Sequence, residues 1–169
     1  MILTIPEISG IIKIPGIQRA VKTMVCTFFG HKDAPTTAGN LLLPVLIDLI
    51  ENKNVTLFYV GNNGNFDNLV RKNLKMLKNE YPEIDYAVVL SALPVKKKIY
   101  PEEDYSDTIF PDILEKTPPK YAISKRNLWM INESDYVVAY VEHTIGGAAQ
   151  FMETAMKKGK TVINLAKQK

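Results

Sequence analysis

Short apolar runs that alternate with amphipathic stretches are the feature of this sequence that most restricts its fold. Five runs have strand length and are apolar enough to be covered on both faces, as in a buried parallel sheet. They are Met24–Gly30, Val55–Val60, 84–90, 135–141 and 161–165. The segments between them carry apolar residues at helical spacing. The alternation predicts an α/β fold, namely a Rossmann-like, doubly wound, mostly parallel five-stranded sheet with helices on both faces.

Helix starts are marked by capping residues. Thr36, Thr37 and Asn40 offer caps before the first helix, in which Pro44 is tolerated only in the first turn. Asp67 offers a cap for the second helix. We therefore expect Pro44 in a first helical turn and Asp67 at a helix cap.

The domain organisation follows from length and from the proline pattern. A chain of 169 residues suits one domain with a real core. Residues 1–22, broken by Pro6, Gly10 and Pro15, are predicted to be an N-terminal extension, and residues 23–169 a single domain. The proline-rich stretch at about 92–120 interrupts the alternation and predicts a lid-like insertion.

Composition and charge exclude several classes of function. The net charge is only +3, and Lys96–Lys98 is a lone basic run, so nucleic acid is not expected as a partner. The single cysteine, Cys26, and two distant histidines predict no disulfide and no metal site. The sequence lacks an apolar run long enough to span a membrane and lacks a signal-peptide pattern. We expect a cytoplasmic protein that contacts no membrane.

Glycine and polar residues leave the predicted strands at the edge where parallel sheets bind ligands. The candidate ligand-binding residues are Gly30, His31, Lys32 and Asp33 after the first strand, Gly61, Asn62, Asn63, Gly64 and Asn65 after the second, Arg126 and Asn127 on a later helix, and Glu142, Gly146, Gly147 and Ala148 after the fourth. The loop 61–65 is suited to form a backbone nest for an anion, and Gly146-Gly147 precedes a helix start. Arginine can fork onto a phosphate or a carboxylate.

Structural roles are the alternatives at each of these positions. His31 can hydrogen-bond a loop carbonyl, and the loop 61–65 can be a tight turn with Asp67 as its cap. Arg126 can form a surface ion pair, whereas Trp129 and Met130 suit helix packing. Glu142 can belong to a solvated loop.

The order of these motifs resembles the SLOG superfamily, which joins LOG-type phosphoribohydrolases with the DNA-processing protein A fold. The resemblance rests on Arg126, Met130 and Asp135, followed by a strand and a Gly-Gly turn, and covers roughly residues 24–166. The segments CTFFGHKD and VGNNGNFD are similar to the bacterial YpsA-like branch. The resemblance implies a Rossmannoid fold, a nucleotide-derived ligand and a homo-oligomer, to which Trp129 and Met152 would contribute.

One departure from the family pattern bears on catalysis. The resemblance places Arg126 at the family's arginine and Gly147-Ala148 at its Gly-Thr pair, but Phe151 stands where the family has its catalytic glutamate. Glu153 lies about 200° further round the helix and points away from that face. This departure favours a binding protein over a hydrolase.

Three functional hypotheses follow. The first is a protein that senses or sequesters a phosphorylated nucleotide or a nucleotide-derived signal, without a further cofactor. The second is an N-glycoside hydrolase or transferase in which Glu142 or Asp33 replaces the missing carboxylate. The third, single-stranded DNA binding, has the least support because it predicts an extended basic face.

Overall fold

A computed structural model gives the fold of residues 22–93 and 108–167. Within these residues the strands are β1 Met24–Gly30, β2 Val55–Val60, β3 Asp85–Val89, β4 Thr108–Ile109, β5 Tyr136–Tyr140 and β6 Thr161–Asn164. The helices are α1 Ala38–Lys53, α2 Asn65–Glu80, α3 Pro119–Asn132 and α4 Gly147–Lys157, with single 3-10 turns at Asp112–Leu114 and Leu165–Lys167. Residues 1–21 of the predicted extension and 94–107 of the predicted lid lie outside this description.

The strands form one sheet in the order β4-β3-β2-β1-β5-β6, and every pairing between them is parallel. The predicted α/β class with a parallel sheet is therefore confirmed, but the count of five strands is wrong. The additional strand, β4, has two residues and pairs with the end of β3, Val88 with Thr108 and Val89 with Ile109. So short a strand carries no recognisable apolar pattern, and it lies inside the segment predicted to be a lid.

Helices cover both faces of the sheet. Neighbouring strand residues point to opposite faces, and Phe28 packs in a core with Leu42 of α1 and Leu74 of α2. Phe29 packs instead with Met130 of α3 and Phe151 of α4. Thus α1 and α2 lie on one face, and α3 and α4 lie on the other.

Two predictions about helix starts are corrected by the structure. Helix α1 begins at Ala38, so Pro44 is its seventh residue and not part of a first turn. Pro44 is exposed, and its missing N–H leaves one carbonyl of the helix without its usual partner. The N-cap of α2 is Gly64, and Asp67 is the third residue of that helix.

The strand order reverses at the centre of the sheet. From β1 the chain moves outward through β2, β3 and β4, and then returns to β5 on the other side of β1. A crevice opens beyond the carboxyl ends of the strands at such a reversal, because the flanking loops diverge to opposite faces.

None of the helices described has the length and apolar character needed to cross a bilayer.

Candidate functional site

A cleft of about 170 Å³ lies beyond the carboxyl ends of the strands, on the side of α3 and α4. It begins at the last residue of β1 and is bounded by the turn after β2 and by the starts of α2 and α4. Of the predicted ligand-binding residues, Gly30, Gly61, Asn63, Arg126, Asn127, Gly147 and Ala148 line it. Glycine turns after β2 and β5 and a helix arginine therefore meet in one place, although they are far apart in sequence.

Arg126 lines this cleft, and three hydrogen bonds hold its guanidinium. It is only 2% exposed, so the alternative of a surface ion pair is wrong. Its Nη1 donates hydrogen bonds to Asn62 Oδ1 and to the Val89 carbonyl, both at 2.9 Å. Its Nε donates to Asn127 Oδ1, also at 2.9 Å. The guanidinium thus ties α3 to the ends of β2 and β3.

Every acceptor that holds Arg126 is neutral. Among residues 22–93 and 108–167 the ion pairs are Lys22–Asp135, Lys78–Asp85 and Lys157–Glu153, and Arg126 takes part in none of them. Within the same residues its Nη2 donates no hydrogen bond. Burial lowers the pKa of the Arg126 guanidinium, while the nearby Asp67 charge acts in the opposite direction. Arginine remains charged in proteins, so the cleft contains a buried cation with one free donor group.

Asp67 is the carboxylate in the lining of this cleft. It is 7% exposed, and its Oδ2 accepts the Asn63 backbone N–H at 2.8 Å. Burial raises the pKa of Asp67, and the Asn63 hydrogen bond and the Arg126 and Arg71 charges only partly oppose this. The sequence predicts Asp67 only as a helix cap and does not reveal its place in the cleft. An aspartate at a helix start is typical of a cap, and the same residue at the same place can also contact a ligand.

Gly61 separates the two charged groups. A Cβ atom at Gly61 would lie 2.6 Å from Asp67 Oδ2 and 3.4 Å from Arg126 Nη2. The first distance is too short for any side chain, and the second is tight. A side chain at this position would displace the Asp67 carboxylate, whereas glycine leaves both groups open to the cleft.

The start of α4 supplies further donors. Gly146 is its N-cap, at φ 111, a conformation that favours glycine, and no side chain caps the helix. Gly146 itself is not part of the cleft lining, but Gly147 and Ala148 are. The first amides of a helix have no partner within the helix, and the helix dipole makes this end positive. The amides of Gly147 and Ala148 donate to no backbone acceptor in the residues described.

Two amides of the turn after β2, where the sequence predicts an anion nest, have acceptors within the protein. The Asn63 amide donates to Asp67, and the Asn65 amide donates to the Lys32 carbonyl at 2.8 Å. Gly64, at φ 104, packs against the Lys32 backbone. The amides of Asn63 and Asn65 are thus used within the protein and are not available to an anion. Gly64 and Asn65 lie outside the cleft lining and fix the turn to the end of β1.

The polar segment after β1 binds the loop after β5. His31 Nε2 accepts the Glu142 backbone N–H at 3.0 Å, so this ring accepts hydrogen bonds from the loop and does not contact a loop carbonyl through Nε2. Glu142 is exposed, and its Oε1 accepts the Tyr140 hydroxyl at 3.1 Å. Lys32 and Asp33 are exposed as well. These four candidate residues lie beside the cleft but outside the lining that the described residues define.

Apolar side chains form the remaining walls. They are Phe28, Phe29, Ile123, Met130 and Phe151. Sequence reasoning placed most of these in strands or helix faces, where an apolar residue that packs in a core is indistinguishable from one that lines a cleft. Phe151 stacks on Phe29 with ring centroids 5.6 Å apart.

The other residues singled out on α3 and α4 have structural contacts. Met130 is buried, and Trp129 packs against Tyr59 with ring centroids 5.1 Å apart, as the packing interpretation predicted. Met152 packs against a small core group around Ala139. Glu153 is exposed and pairs with Lys157, so it points away from the cleft as expected.

The fold and the cleft define an α/β protein with a six-stranded parallel sheet and a buried arginine beyond its strand ends. A strand order that reverses at β1 is compatible with a Rossmann-like, doubly wound arrangement. Comparison with models of protein families finds no match, and comparison with curated protein sequences finds none either.

Proposed function

We propose that this protein binds a phosphorylated nucleotide or nucleotide-derived ligand in the cleft, and that it senses or sequesters this ligand. The observation that carries the proposal is the buried Arg126 guanidinium, which is held only by neutral acceptors and has a free Nη2. Removing a charge from water is costly unless an opposite charge compensates it. The nearby Asp67 charge compensates the guanidinium only without direct contact, and a bound anion would supply direct compensation.

Phosphate suits this position for two reasons. Arginine donates strong, charge-assisted hydrogen bonds to phosphate oxygens. The start of α4 adds the unpartnered amides of Gly147 and Ala148 and the positive end of the helix dipole, and both lie in the same cleft. Ordered donors from two different elements favour an anion that is large enough to accept several hydrogen bonds.

A nucleotide suits the rest of the cleft. Phe29 and Phe151 form a stacked aromatic wall, and Ile123 adds a partly exposed apolar surface. Such surfaces bind flat, apolar groups such as a base. The resemblance to the SLOG superfamily, in which nucleotide-derived ligands are expected, points in the same direction.

Thermal unfolding in the presence of nucleotides tests this proposal. Nucleoside mono- and diphosphates, dinucleotides and cyclic nucleotides are the probes. A ligand at 100 times its Kd stabilises the folded state by about 2.7 kcal/mol, which raises the Tm by roughly 5–10 °C for a chain of this size. Arg126→Gln should abolish the shift, and the control Lys125→Gln, on the exposed neighbour in the same helix, should retain it. A shift that survives in Arg126→Gln, or the absence of a shift with every probe, contradicts the proposal.

Asp67 favours a second candidate function, N-glycoside hydrolysis or transfer on nucleotides. The carboxylates predicted for this role, Glu142 and Asp33, are exposed and do not line the cleft, whereas Asp67 does. A raised pKa is typical of carboxyl groups that transfer protons. Release of free base from nucleoside monophosphates, retained in Glu142→Gln and lost in Asp67→Asn, would establish the hydrolase. Stable binding without base release would exclude it.

A further inference from the structure

We infer that Asp67 is a specificity-determining residue, and that its carboxylate accepts a hydrogen bond from a sugar hydroxyl of a ligand whose phosphate lies on Arg126. The ligand class is thus a phosphate ester of a sugar that keeps its ring hydroxyls. This inference rests on the proposed function and adds to it the part of the ligand that the cleft selects.

The first support is the incomplete hydrogen bonding of Asp67. Its Oδ2 accepts the Asn63 amide, but its Oδ1 accepts no hydrogen bond from the residues described. Only 7% of the residue is exposed, and it lines the cleft. Among the described residues the fully buried side-chain polar atom without a partner is Ser134 Oγ, so Asp67 Oδ1 keeps some exposure although it has no donor from the protein. A donor that arrives with the ligand would satisfy it.

The second support is the position of Asp67 relative to Arg126. Both groups lie within 3.4 Å of the point where a Gly61 side chain would begin, yet they form no ion pair with each other. The two charges therefore face the same small space without neutralising each other directly. A ligand with an anion on one side and a hydroxyl on the other would contact both.

Electrostatics determine which end of the ligand goes where. A phosphate oxygen is repelled by the Asp67 carboxylate and attracted by Arg126 and by the start of α4. A hydroxyl group, in contrast, donates to a carboxylate in a strong, charge-assisted hydrogen bond. The phosphate therefore belongs on the α3 and α4 side, and the hydroxyl on the α2 side.

A purely structural role explains only half of this geometry. The Asn63 hydrogen bond and the favourable position of a carboxylate in the first turn of α2 account for Oδ2 and for the negative charge. They leave Oδ1, on a group that lines the cleft, without a donor from the described residues. Contact with a ligand would supply that donor.

Paired ribose and dideoxyribose nucleotides provide the test. The affinities of the four ribonucleoside 5′-monophosphates and of their 2′,3′-dideoxy counterparts are measured by calorimetry for the wild type, Asp67→Asn and the control Asp48→Asn. Asp48 is an exposed carboxylate on α1, and circular dichroism verifies that each variant is folded. Asparagine keeps the shape of the side chain and an oxygen for the Asn63 amide, but it removes the charge.

The wild type and Asp48→Asn are expected to bind the ribose form about tenfold more tightly than the dideoxy form, as for one hydrogen bond to a charged group. In Asp67→Asn this ratio should fall close to one, while the affinity for the dideoxy form should not decrease. Equal wild-type affinities for both forms, with both lost in Arg126→Gln, would refute the inference and leave the proposed function intact. Failure of all eight nucleotides to bind the wild type would refute the inference for nucleoside monophosphates, and the thermal unfolding screen with the other probes would then decide the proposed function separately.

Discussion

At the scale of single residues, the cleft combines a buried cation and a buried carboxylate that do not pair. Each has some partners, since Asn62 and Val89 hold Arg126 and the Asn63 amide holds Asp67. Each also has a polar atom without a partner among the described residues. Arrangements of this kind are uncommon in cores that serve only stability, because unpaired buried charge is unfavourable. They are common where a ligand completes the hydrogen bonding.

The Asp67 carboxyl makes stability depend on pH in a defined direction. Because burial raises its pKa in the folded state, the folded protein holds this proton at pH values where the unfolded chain has lost it. The free energy of unfolding therefore falls as the pH rises from the ordinary carboxyl range through the raised pKa. Asparagine does not titrate, so Asp67→Asn does not lose stability in this way as the pH rises.

We accordingly expect the free energy of unfolding of Asp67→Asn, relative to that of the wild type, to increase from about pH 4 to about pH 7. Urea denaturation without ligand measures it. The difference in free energy of unfolding between variant and wild type is the quantity to compare at the two pH values. A difference that is constant with pH, or that changes in the opposite direction, would show that Asp67 is not destabilised by burial.

At the scale of elements, the alternation of apolar runs predicted four of the helices and five of the strands, because double-sided burial requires nearly continuous apolar residues. It missed β4, where two residues take their conformation from pairing with Val88 and Val89. It also placed Pro44 in a first turn, whereas α1 begins six residues earlier and keeps Pro44 on its exposed side. Local propensity does not reveal that tertiary packing extends the helix across a proline.

The site was predictable to a similar extent. The glycine turns and Arg126 were identifiable because parallel strands bring their carboxyl ends to one edge. The sequence does not show which candidates line the cleft and which lie outside it, because this depends on hydrogen bonds such as that between Glu142 and His31. Nor does it show the role of Phe151 as a cleft wall, since apolar residues have the same pattern in cores and in clefts.

The contact between β1 and α2 depends on a glycine. A Cβ atom at Gly30 would lie 2.2 Å from the ring of Phe66, a fully buried residue of α2. Gly30→Ala should therefore lower the free energy of unfolding by about 1–3 kcal/mol, as expected for an overpacked core. In contrast, Gly147→Ala meets no atom within 4 Å at the start of α4 and should be neutral or slightly stabilising. Equal effects of the two substitutions in urea denaturation would contradict this account of the packing.

At the scale of the whole molecule, the cleft joins elements that the sheet otherwise keeps apart. Helix α2 packs on one face, and α3 and α4 pack on the other. At the cleft, Asp67 of α2, Arg126 of α3 and the start of α4 border the same space. A ligand there would connect the two helical layers across the strand ends, in addition to the contacts that each layer makes with the sheet.

Hydrogen exchange can detect this connection. In the free protein the amides of Gly147 and Ala148 donate to no backbone acceptor in the described residues, so they should exchange rapidly. A bound nucleotide should slow exchange at the start of α4, because its phosphate would accept hydrogen bonds from these amides, and at the turn before α2, which it would hold in place. Exchange of the exposed amides of α1, which packs on the opposite face from α4, should change little. These amides exchange through local opening of the helix, and α1 does not contact the cleft.

Slowing that spreads evenly over all helices would instead indicate general stabilisation, and slowing confined to α1 and α2 would place the ligand on the other face of the sheet.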